Sequence, residues 1–207
     1  MDKPADPPLI EYVRTPAGET SLLIGGGQAM QGWETNLMWE SADLLCGFGS
    51  EFLEVGLGLG ISALRIAANP ATRRHTVVEK YARVIELFHE HNRAPDNLHI
   101  VEADFLDHIE RLEPASLDGV FFDPYLPQDQ WDDPAVWNRV MPLFTRALRT
   151  GGAFIPCFAT RPVLKWQCTP FFDRIIVERR SFAIYDSTNY APSQTGEAYI
   201  QCFIKTW

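Results

Sequence analysis

The sequence predicts an α/β protein built around a doubly wound, mainly parallel sheet. Apolar, β-branched runs alternate with helical segments from residue 51 onward, and the loops between them are short. A first apolar strand, Glu51–Val55, turns through Gly56, Gly58 and Gly60 directly into a helix. A chain of 207 residues is long enough for one domain with a full core and too short for two comfortable ones.

The N-terminal part of the chain does not follow this alternation. Residues 10–13 and 20–24 read as two strands on either side of Thr15-Pro-Ala-Gly, which predicts a β-hairpin. Gly25-Gly26-Gly27 then leads into an amphipathic helix that ends near Leu45. We expect this hairpin and helix to form a lid over a ligand cleft, because so short a segment cannot fold by itself.

Three units of strand and helix follow. The strands are predicted at Glu51–Val55, His75–Glu79 and Leu98–Glu102. The helices are predicted at Ile61–Ala68, Tyr81–Asn92 and Asp104–Leu112. Because each strand returns to the sheet through a helix, these strands should pair in parallel with right-handed crossovers.

The second half of the chain completes the predicted sheet. Gly119–Asp123 is almost purely apolar, as expected of a strand that is buried on both faces. A helix over Pro134–Leu148 should stop at Thr150-Gly151-Gly152, and Ala153–Phe158 supplies a fifth strand. The last two strands should pair antiparallel, and they are predicted at Ile175–Arg180 and Tyr199–Lys205.

Composition and charge exclude several classes of protein. The formal net charge of −9 argues against a nucleic-acid partner, because such proteins usually present a basic face. No apolar run reaches the roughly 18–20 residues that span a bilayer, and the start of the chain lacks the pattern of a signal peptide. The four cysteines form neither a CxxC pair nor a disulfide framework, which predicts buried thiols in a reducing cytoplasm. The histidines show no metal-ligand spacing, so we expect no metal.

The turn from Glu54 to Gly60, Glu-Val-Gly-Leu-Gly-Leu-Gly, is the most informative motif. The dinucleotide-binding pattern G-x-G-x-x-G would need glycine at position 61, where Ile61 stands. An acidic residue followed by three alternate glycines instead resembles the class I S-adenosylmethionine-dependent methyltransferases. This resemblance implies a Rossmann-like seven-stranded sheet with a final hairpin, and S-adenosyl-L-methionine as the cofactor. It also implies that Gly56, Gly58 and Gly60 make room for the cofactor, and that Glu54 fixes the loop and the methionine amino group.

Acidic residues also end the next two predicted strands, at the sheet edge where such folds bind ligands. Glu79 ends the second strand, and the resemblance implies that it accepts hydrogen bonds from both ribose hydroxyls; an acid in the first turn of a helix is the structural alternative. Asp104 would hold the adenine amino group, with Phe105 stacked on the base. Asp104 is equally suited to cap the next helix, and both roles can hold together because a cap uses one oxygen.

The acceptor site is predicted at Glu34, Asp123 and Tyr125. Met30-Gln-Gly-Trp-Glu-Thr35, the glycine loop and the Asp-x-Tyr that closes the fourth strand are similar to guanidinoacetate N-methyltransferase, from about residue 28 to 158. In that family the corresponding Glu and Asp clasp the guanidinium of the substrate, and a tyrosine follows at the position of Tyr125. The family's threonine is Pro124 here, which removes a hydroxyl and a backbone donor and leaves the particular guanidino acid open.

A pair of carboxylates suits a cationic nitrogen. A guanidinium presents five donors in a fixed fork, and two desolvated carboxylates can localise its charge and accept the proton that the attacking nitrogen loses. Alignment of nitrogen, methyl group and sulfur should supply most of the acceleration, about 7–11 kcal/mol in well-oriented systems. The structural alternatives are a solvated lid position for Glu34 and a purely structural strand end for Asp123.

Other interpretations stay open. The segment from Leu23 to Gln28, with Glu34, resembles the N-terminal part of spermidine-synthase-like aminopropyltransferases, which makes Gln28 a candidate cofactor ligand. Attack on another carbon–sulfur bond would release methylthioadenosine, through aminopropyl or aminocarboxypropyl transfer or through cyclisation of the cofactor. Asp123-Pro-Tyr is also similar to the Asp/Asn-Pro-Pro-Tyr of nucleobase-methylating enzymes, without the second proline. A methyltransferase-like scaffold without activity is a further class.

Aromatic and polar side chains near these motifs are additional candidates. The polar segment 185–190 could close over the acceptor, although nothing in its composition requires this. Aromatic rings could stack on a sulfonium or a cationic substrate, although packing is their more common role. The candidate rings are Trp33, Trp39, Tyr125, Trp131 and Trp137.

The sequence therefore predicts a cytoplasmic, S-adenosylmethionine-dependent N-methyltransferase that acts on a small guanidino or amino compound. Residues 1–48 would form the hairpin and lid, and residues 49–207 the S-adenosylmethionine-binding domain, in one globular unit. The expected partner is a small-molecule acceptor, with neither a nucleic acid nor a membrane involved. The sequence is compatible with a homodimer.

Overall fold

The computed structural model of the chain describes residues 8–207, except for the side chain of Gln128. The first seven residues of the predicted lid segment lie outside the described residues. Within the described part the strands are β1 (Ile10–Arg14), β2 (Thr20–Ile24), β3 (Gly27–Gln31), β4 (Glu51–Val55), β5 (Arg74–Glu79), β6 (Leu98–Glu102), β7 (Leu117–Phe122), β8 (Leu148–Pro156), β9 (Arg174–Ala183) and β10 (Thr195–Ile204). The helices are α1 (Thr35–Cys46), α2 (Ile61–Ala68), α3 (Ala82–His91), α4 (Phe105–Glu110), α5 (Gln128–Trp131) and α6 (Pro134–Ala147).

The larger of two sheets has seven strands in the order β6-β5-β4-β7-β8-β10-β9. Strands β4 to β8 pair in parallel, and β10 pairs antiparallel with both β8 and β9. The predicted doubly wound, mainly parallel seven-stranded sheet with a final hairpin is therefore confirmed. The strand order reverses between β4 and β7, so the carboxyl ends of these two strands flank the crevice where such sheets bind ligands.

Helices cover both faces of this sheet and create two hydrophobic clusters. One cluster includes Leu45 of α1 and Phe88 of α3, and the other includes Phe144 of α6. Strand β7 contributes to both, because Phe121 belongs to the first cluster and Phe122 to the second. This position between two cores explains why the predicted fourth strand is apolar at nearly every residue.

The smaller sheet contains one strand more than the sequence predicted. Strands β1 and β2 form the expected antiparallel hairpin, but Gly27–Gln31 is a third strand rather than part of the approach to the helix. Gly25 and Gly26 have φ angles of 60° and 81°. A two-residue loop with both angles positive is a type I′ turn, which matches the twist of a hairpin. Helix α1 consequently begins only at Thr35, after a 3₁₀ turn over Gly32–Glu34.

Strand β8 begins earlier than the sequence predicted. The glycines after α6 were expected to separate a helix from a strand, but Leu148 already pairs with Leu117 of β7. The backbone N–H of Gly151 donates to the carbonyl of Lys205 at 2.7 Å, and that of Lys205 donates to Gly152 at 3.0 Å. Tertiary partners on both sides thus extend the strand through residues that locally favour a turn.

Two features of the whole chain bear on its class. Within residues 8–207 no helix combines the length and apolarity needed to cross a bilayer. All four cysteines are free, and three of them are buried as expected. The fourth, Cys157, is only partly buried and lies just after β8.

Candidate active site

A cavity of about 360 Å³ lies at the carboxyl ends of the parallel strands. Strands β2 and β3 of the smaller sheet contribute part of its wall, and the volume lies in the range that is usual for small-molecule sites. The predicted site residues that line the cavity are Gly56, Gly58, Glu79, Asp104, Phe105, Asp123 and Tyr125. The predicted site residues outside this lining are Gln28, Glu34, Glu54 and Gly60.

The glycine loop is shaped by close contacts within the protein. Gly56, Gly58 and Gly60 have positive φ angles of 89°, 53° and 75°. A Cβ atom at Gly56 would lie 2.3 Å from the backbone oxygen of Asp123, and one at Gly58 would lie 2.6 Å from the sulfur of Met30. Glycine is therefore required by the backbone conformation and by the approach of neighbouring strands, in addition to any space that a ligand needs.

Glu79 is buried at the end of β5, where its carboxylate orders the glycine loop. Its Oε2 accepts a hydrogen bond from the backbone N–H of Leu57 at 2.9 Å, and its Oε1 accepts one from Tyr81 at 2.9 Å. Burial raises the pKa of this carboxyl, and these backbone donors oppose the shift. Because each oxygen carries two lone pairs, the side chain can still accept hydrogen bonds from a ligand in the cavity that it lines.

Asp104 caps helix α4, which is the structural role that the sequence allowed for it. Its Oδ1 accepts from the backbone N–H of Leu106 at 3.0 Å, and its Oδ2 lies 3.2 Å from Nζ of Lys80. Phe105 also lines the cavity, and its ring meets that of Phe122 edge-on at a centroid distance of 5.6 Å. A cap and a charged neighbour therefore hold Asp104 in place at this end of the cavity.

Glu54 lies in the core, between β4 and α2. Its side chain is 1% exposed, and its Oε1 accepts a hydrogen bond from the hydroxyl of Ser62. Its Oε2 lies 3.1 Å from Nε2 of His75, which is completely buried. Glu54 thus ties the first parallel strand to the helix that follows the glycine loop. Its predicted contact with the methionine amino group has no support in the lining of the cavity.

Asp123 follows β7 and lies beside the glycine loop. Its backbone N–H donates to the carbonyl of Val55 at 3.0 Å, and the residue lines the cavity. Burial raises the pKa of this carboxyl, while a hydrogen bond from the thiol of Cys157 and the charge of Lys165 lower it. Burial and the charge of Asp123 raise the pKa of the Cys157 thiol well above its usual range, so this thiol is a donor rather than a nucleophile.

Glu34 lies in the 3₁₀ turn between β3 and α1 and is 5% exposed, which excludes a solvated lid position. Its Oε1 accepts from the backbone N–H of Gln31 at 2.9 Å and from the hydroxyl of Tyr190. Burial raises the pKa of this carboxyl to about 7, the hydrogen bond from Tyr190 opposes the shift, and the charge of Asp123 adds to it. The fold therefore brings the two acids predicted for the acceptor site close to each other.

The aromatic candidates occupy different environments. Tyr125 lines the cavity and is 49% exposed, and Trp131 lines it as well. Trp137 is buried in the core, where its indole N–H donates to the carbonyl of Trp131 at 2.8 Å. Trp39 lies on the exposed side of α1 beneath the guanidinium of Arg65, 5.4 Å from the ring centroid. Trp137 therefore has a packing role in the core, and Trp39 lies on the surface.

Gln28 anchors the segment between β9 and β10 to the smaller sheet. Its Nε2 donates to the carbonyl of Ser187 at 2.7 Å, and its Oε1 accepts from the backbone N–H of Asn189 at 2.9 Å. Both ends of the amide are thus used within the protein, outside the lining of the cavity. The contacts of Gln28 position this segment, and none of them points to the predicted role as a cofactor ligand.

Two side chains near the site, Lys80 and Cys157, were not identified from the sequence, and Tyr190 was named only as part of the polar segment 185–190. Cys157 follows β8, whose carboxyl end meets the same edge of the sheet as β7, so the position of its strand contained a signal. Tyr190 contacts Glu34 across 156 positions of the chain, and its surroundings in sequence show only turn-forming composition. Local pattern therefore could not identify it.

Two solved structures of similar fold are spermidine synthases. The chain is similar to the spermidine synthase from Thermotoga maritima with a TM-score of 0.71 and 13% sequence identity, over 96% of this chain and 70% of that chain. A spermidine synthase in complex with the transition-state analogue AdoDATO gives a TM-score of 0.72 and 13% identity, over 96% of this chain and 71% of that chain. At this level of identity the similarity establishes the shared fold.

The amino-acid sequence also matches the model of a family, guanidinoacetate N-methyltransferase, over residues 12–166. The match includes the glycine loop and both acids that were predicted for the acceptor site, and it ends before β9, so that Tyr190 lies outside it. The resemblances predicted from the sequence, to this family and to spermidine synthases, are both confirmed. Because the match covers well over half of the 207 residues, the chain is an S-adenosylmethionine-dependent transferase that belongs to the guanidinoacetate N-methyltransferase family.

Proposed function

We propose that this protein transfers a methyl group from S-adenosyl-L-methionine to a nitrogen of a small guanidino or amino compound. The observation that carries the proposal is the interaction of two carboxyl groups, that of Asp123, which lines the cavity, and that of Glu34, which lies outside the lining. Burial raises the pKa of both groups, because their ionised forms lack the solvation of water. A cationic acceptor supplies the charge that stabilises two such carboxylates.

The residues at the other end of the cavity fit S-adenosylmethionine. Glu79 would accept hydrogen bonds from the ribose hydroxyls, and Asp104 and Phe105 would meet the adenine, because all three line the cavity at the ends of β5 and β6. Gly56 and Gly58 line the cavity without presenting a side chain to it. When bound, S-adenosylmethionine supplies an electrophilic methyl group on a sulfonium, whose bonding electrons remain with the sulfur.

Glu34 and Asp123 would orient the acceptor and take up its proton. A cationic nitrogen must lose a proton before its lone pair can form a bond to carbon. With a pKa of about 7, Glu34 is suited to act as a general base near neutral pH. Asp123 lies next to the glycine loop, so it would hold the nitrogen in line with the reacting carbon.

The acceptor that we propose is a small molecule. A cavity of about 360 Å³ is of a size for small ligands, and the net charge of −9 disfavours a polyanion. We also propose that the N-terminal segment acts as the lid of the S-adenosylmethionine-binding domain. Leu22, Ile24 and Met30 of this segment support that role, because they form part of the cavity wall.

Identification of the nucleoside product tests the proposal. The purified protein is incubated with S-adenosylmethionine alone, and then with guanidino acids and with amines, before mass spectrometry. We expect S-adenosylhomocysteine together with a methylated acceptor. Methylthioadenosine would instead show that another carbon–sulfur bond breaks, and its release without an acceptor would indicate cyclisation; either result contradicts methyl transfer. Cofactor binding without any product would support a binding module.

A further inference from the structure

Only one oxygen of the Glu34 carboxylate is free to accept hydrogen bonds from the substrate that receives the methyl group. Its Oε1 accepts hydrogen bonds from the backbone N–H of Gln31 at 2.9 Å and from the hydroxyl of Tyr190. A carboxylate oxygen carries two lone pairs, so both lone pairs of Oε1 are used within the protein. The accepting capacity that remains at Glu34 belongs to Oε2.

Tyr190 is held in this position by the segment in which it lies. Gln28 binds this segment through both ends of its amide, at Ser187 and at Asn189. The ring of Tyr190 stacks on that of Trp33, with a centroid distance of 6.0 Å and an interplanar angle of 29°. The hydrogen bond to Glu34 is therefore supported by neighbouring contacts and does not depend on an isolated surface side chain.

One free oxygen at Glu34 limits how a cation can pair with this carboxylate. A guanidinium pairs best with a carboxylate through two parallel N–H···O bonds, which require both oxygens of one group. An alkylammonium is a compact cation that donates to single oxygens of different residues. The single free oxygen of Glu34 matches the second arrangement.

We propose that Tyr190 is a specificity-determining residue, which occupies Oε1 of Glu34 and thereby selects an alkylammonium acceptor over a guanidinium. This inference deepens the proposed function and rests on it, because it assigns the chemical class of acceptor at the same site. Tyr190 lies outside the region that matches the family, so family membership by itself does not lead to this assignment.

Matched pairs of an amine and a guanidine test the assignment by equilibrium binding. The protein is saturated with S-adenosylhomocysteine and titrated calorimetrically with propylamine and propylguanidine, and then with glycine and guanidinoacetate. The wild type should bind the amine of each pair more tightly than the guanidine. Tyr190→Phe releases Oε1 for bidentate pairing and should shift the ratio of the two affinities by about tenfold toward the guanidine, as expected for one hydrogen bond to a charged group.

Two further variants control the experiment. Tyr199→Phe removes a comparable bond, from the tyrosine hydroxyl to Oε2 of Glu197 at 3.2 Å on the exposed part of β10, and should leave the ratio unchanged. Gln28→Ala loosens the segment while it keeps the hydroxyl of Tyr190, and should shift the ratio in the same direction as Tyr190→Phe.

Three outcomes would overturn the inference: a wild type that prefers the guanidines, a Tyr190→Phe variant with the wild-type ratio, or a saturated complex that binds neither class. Failure to bind S-adenosylhomocysteine would instead contradict the proposed function, so the two failures are distinguishable.

Discussion

Glu34 and Asp123 are placed differently, although both acids belong to the proposed acceptor site. Asp123 lines the cavity directly, whereas Glu34 lies in a capping box and shares one oxygen with Tyr190. A capping box normally stabilises the start of a helix with a solvated glutamate. Here the same local motif is buried next to a second acid, which converts a structural element into a group that titrates near neutral pH.

Replacement of Glu34 by glutamine should therefore stabilise the protein at pH 8 and change its stability much less at pH 5. The pKa of this carboxyl rises from 4.5 to about 7 on folding, so wild-type stability falls as the pH increases through this window. This change in pKa corresponds to a loss of about 3 kcal/mol in the free energy of unfolding of the wild type. Urea denaturation of both proteins at the two pH values measures it.

The exposed Glu113 provides the control for this prediction. Glu113→Gln should change the free energy of unfolding by a similar, small amount at pH 5 and at pH 8. If Glu34→Gln also changed the free energy of unfolding equally at pH 5 and pH 8, the carboxyl of Glu34 would not be buried in its ionised form. The argument for a cationic acceptor would then lose its main support.

At the scale of elements, the glycine loop is built jointly by three strands. The loop begins at the end of β4. Gly56 lies against the backbone that follows β7, and Gly58 lies against Met30 of β3. The added strand β3 therefore has a definite role, because it brings the smaller sheet against the loop. The conformation of the loop and the position of Asp123 are coupled through this packing.

Gly56→Ala should destabilise the protein more than Gly151→Ala. The two glycines have similar φ angles, 89° and 86°, so both variants carry the strain of a non-glycine residue in this region, about 1–3 kcal/mol. A Cβ at Gly56 would also lie 2.3 Å from the backbone oxygen of Asp123, whereas nothing lies within 4 Å of one at Gly151. Denaturation measures the difference between them, and equal losses would show that the loop can move away from β7 without cost.

At the scale of the whole molecule, one edge of the larger sheet collects the acidic groups of the site. Glu79 ends β5, Asp104 and Asp123 follow β6 and β7, and all three line one cavity that the smaller sheet helps to close. The net charge of −9 adds a negative field around this edge. We therefore expect the molecule as a whole to favour a cationic ligand over one that carries a pyrophosphate.

S-adenosylhomocysteine should raise the thermal stability of the protein, whereas NAD at the same concentration should not. A ligand at about a hundred times its Kd stabilises the folded state by about 2.7 kcal/mol. For a chain of this size, such a gain raises Tm by about 5–11 °C. Differential scanning calorimetry measures both shifts. Ile61 and the acidic edge both argue against dinucleotide binding. An equal rise of Tm with NAD would contradict that argument.

The elements that could be predicted from the sequence are those whose signals are local. Alternation of strands and helices, the glycine motif and the acids at strand ends depend on neighbouring residues, and the order of the seven-stranded sheet agrees with them. Strand β3 was missed although two glycines flanked by strand-forming residues are themselves a hairpin signal. The start of β8 was misplaced because partners in β7 and β10 override a local turn preference.

The class of fold, the family and the acids at the carboxyl edge can all be derived from the amino-acid sequence, because parallel strands bring their ends to one edge whatever the loops contain. Which of the predicted residues line the cavity depends instead on how the elements pack together. Glu54 lies in the core, Gln28 anchors a distant segment, and Tyr190 reaches Glu34, because these contacts join elements that lie far apart in the chain. Such pairings arise from packing, for which the sequence carries no local pattern.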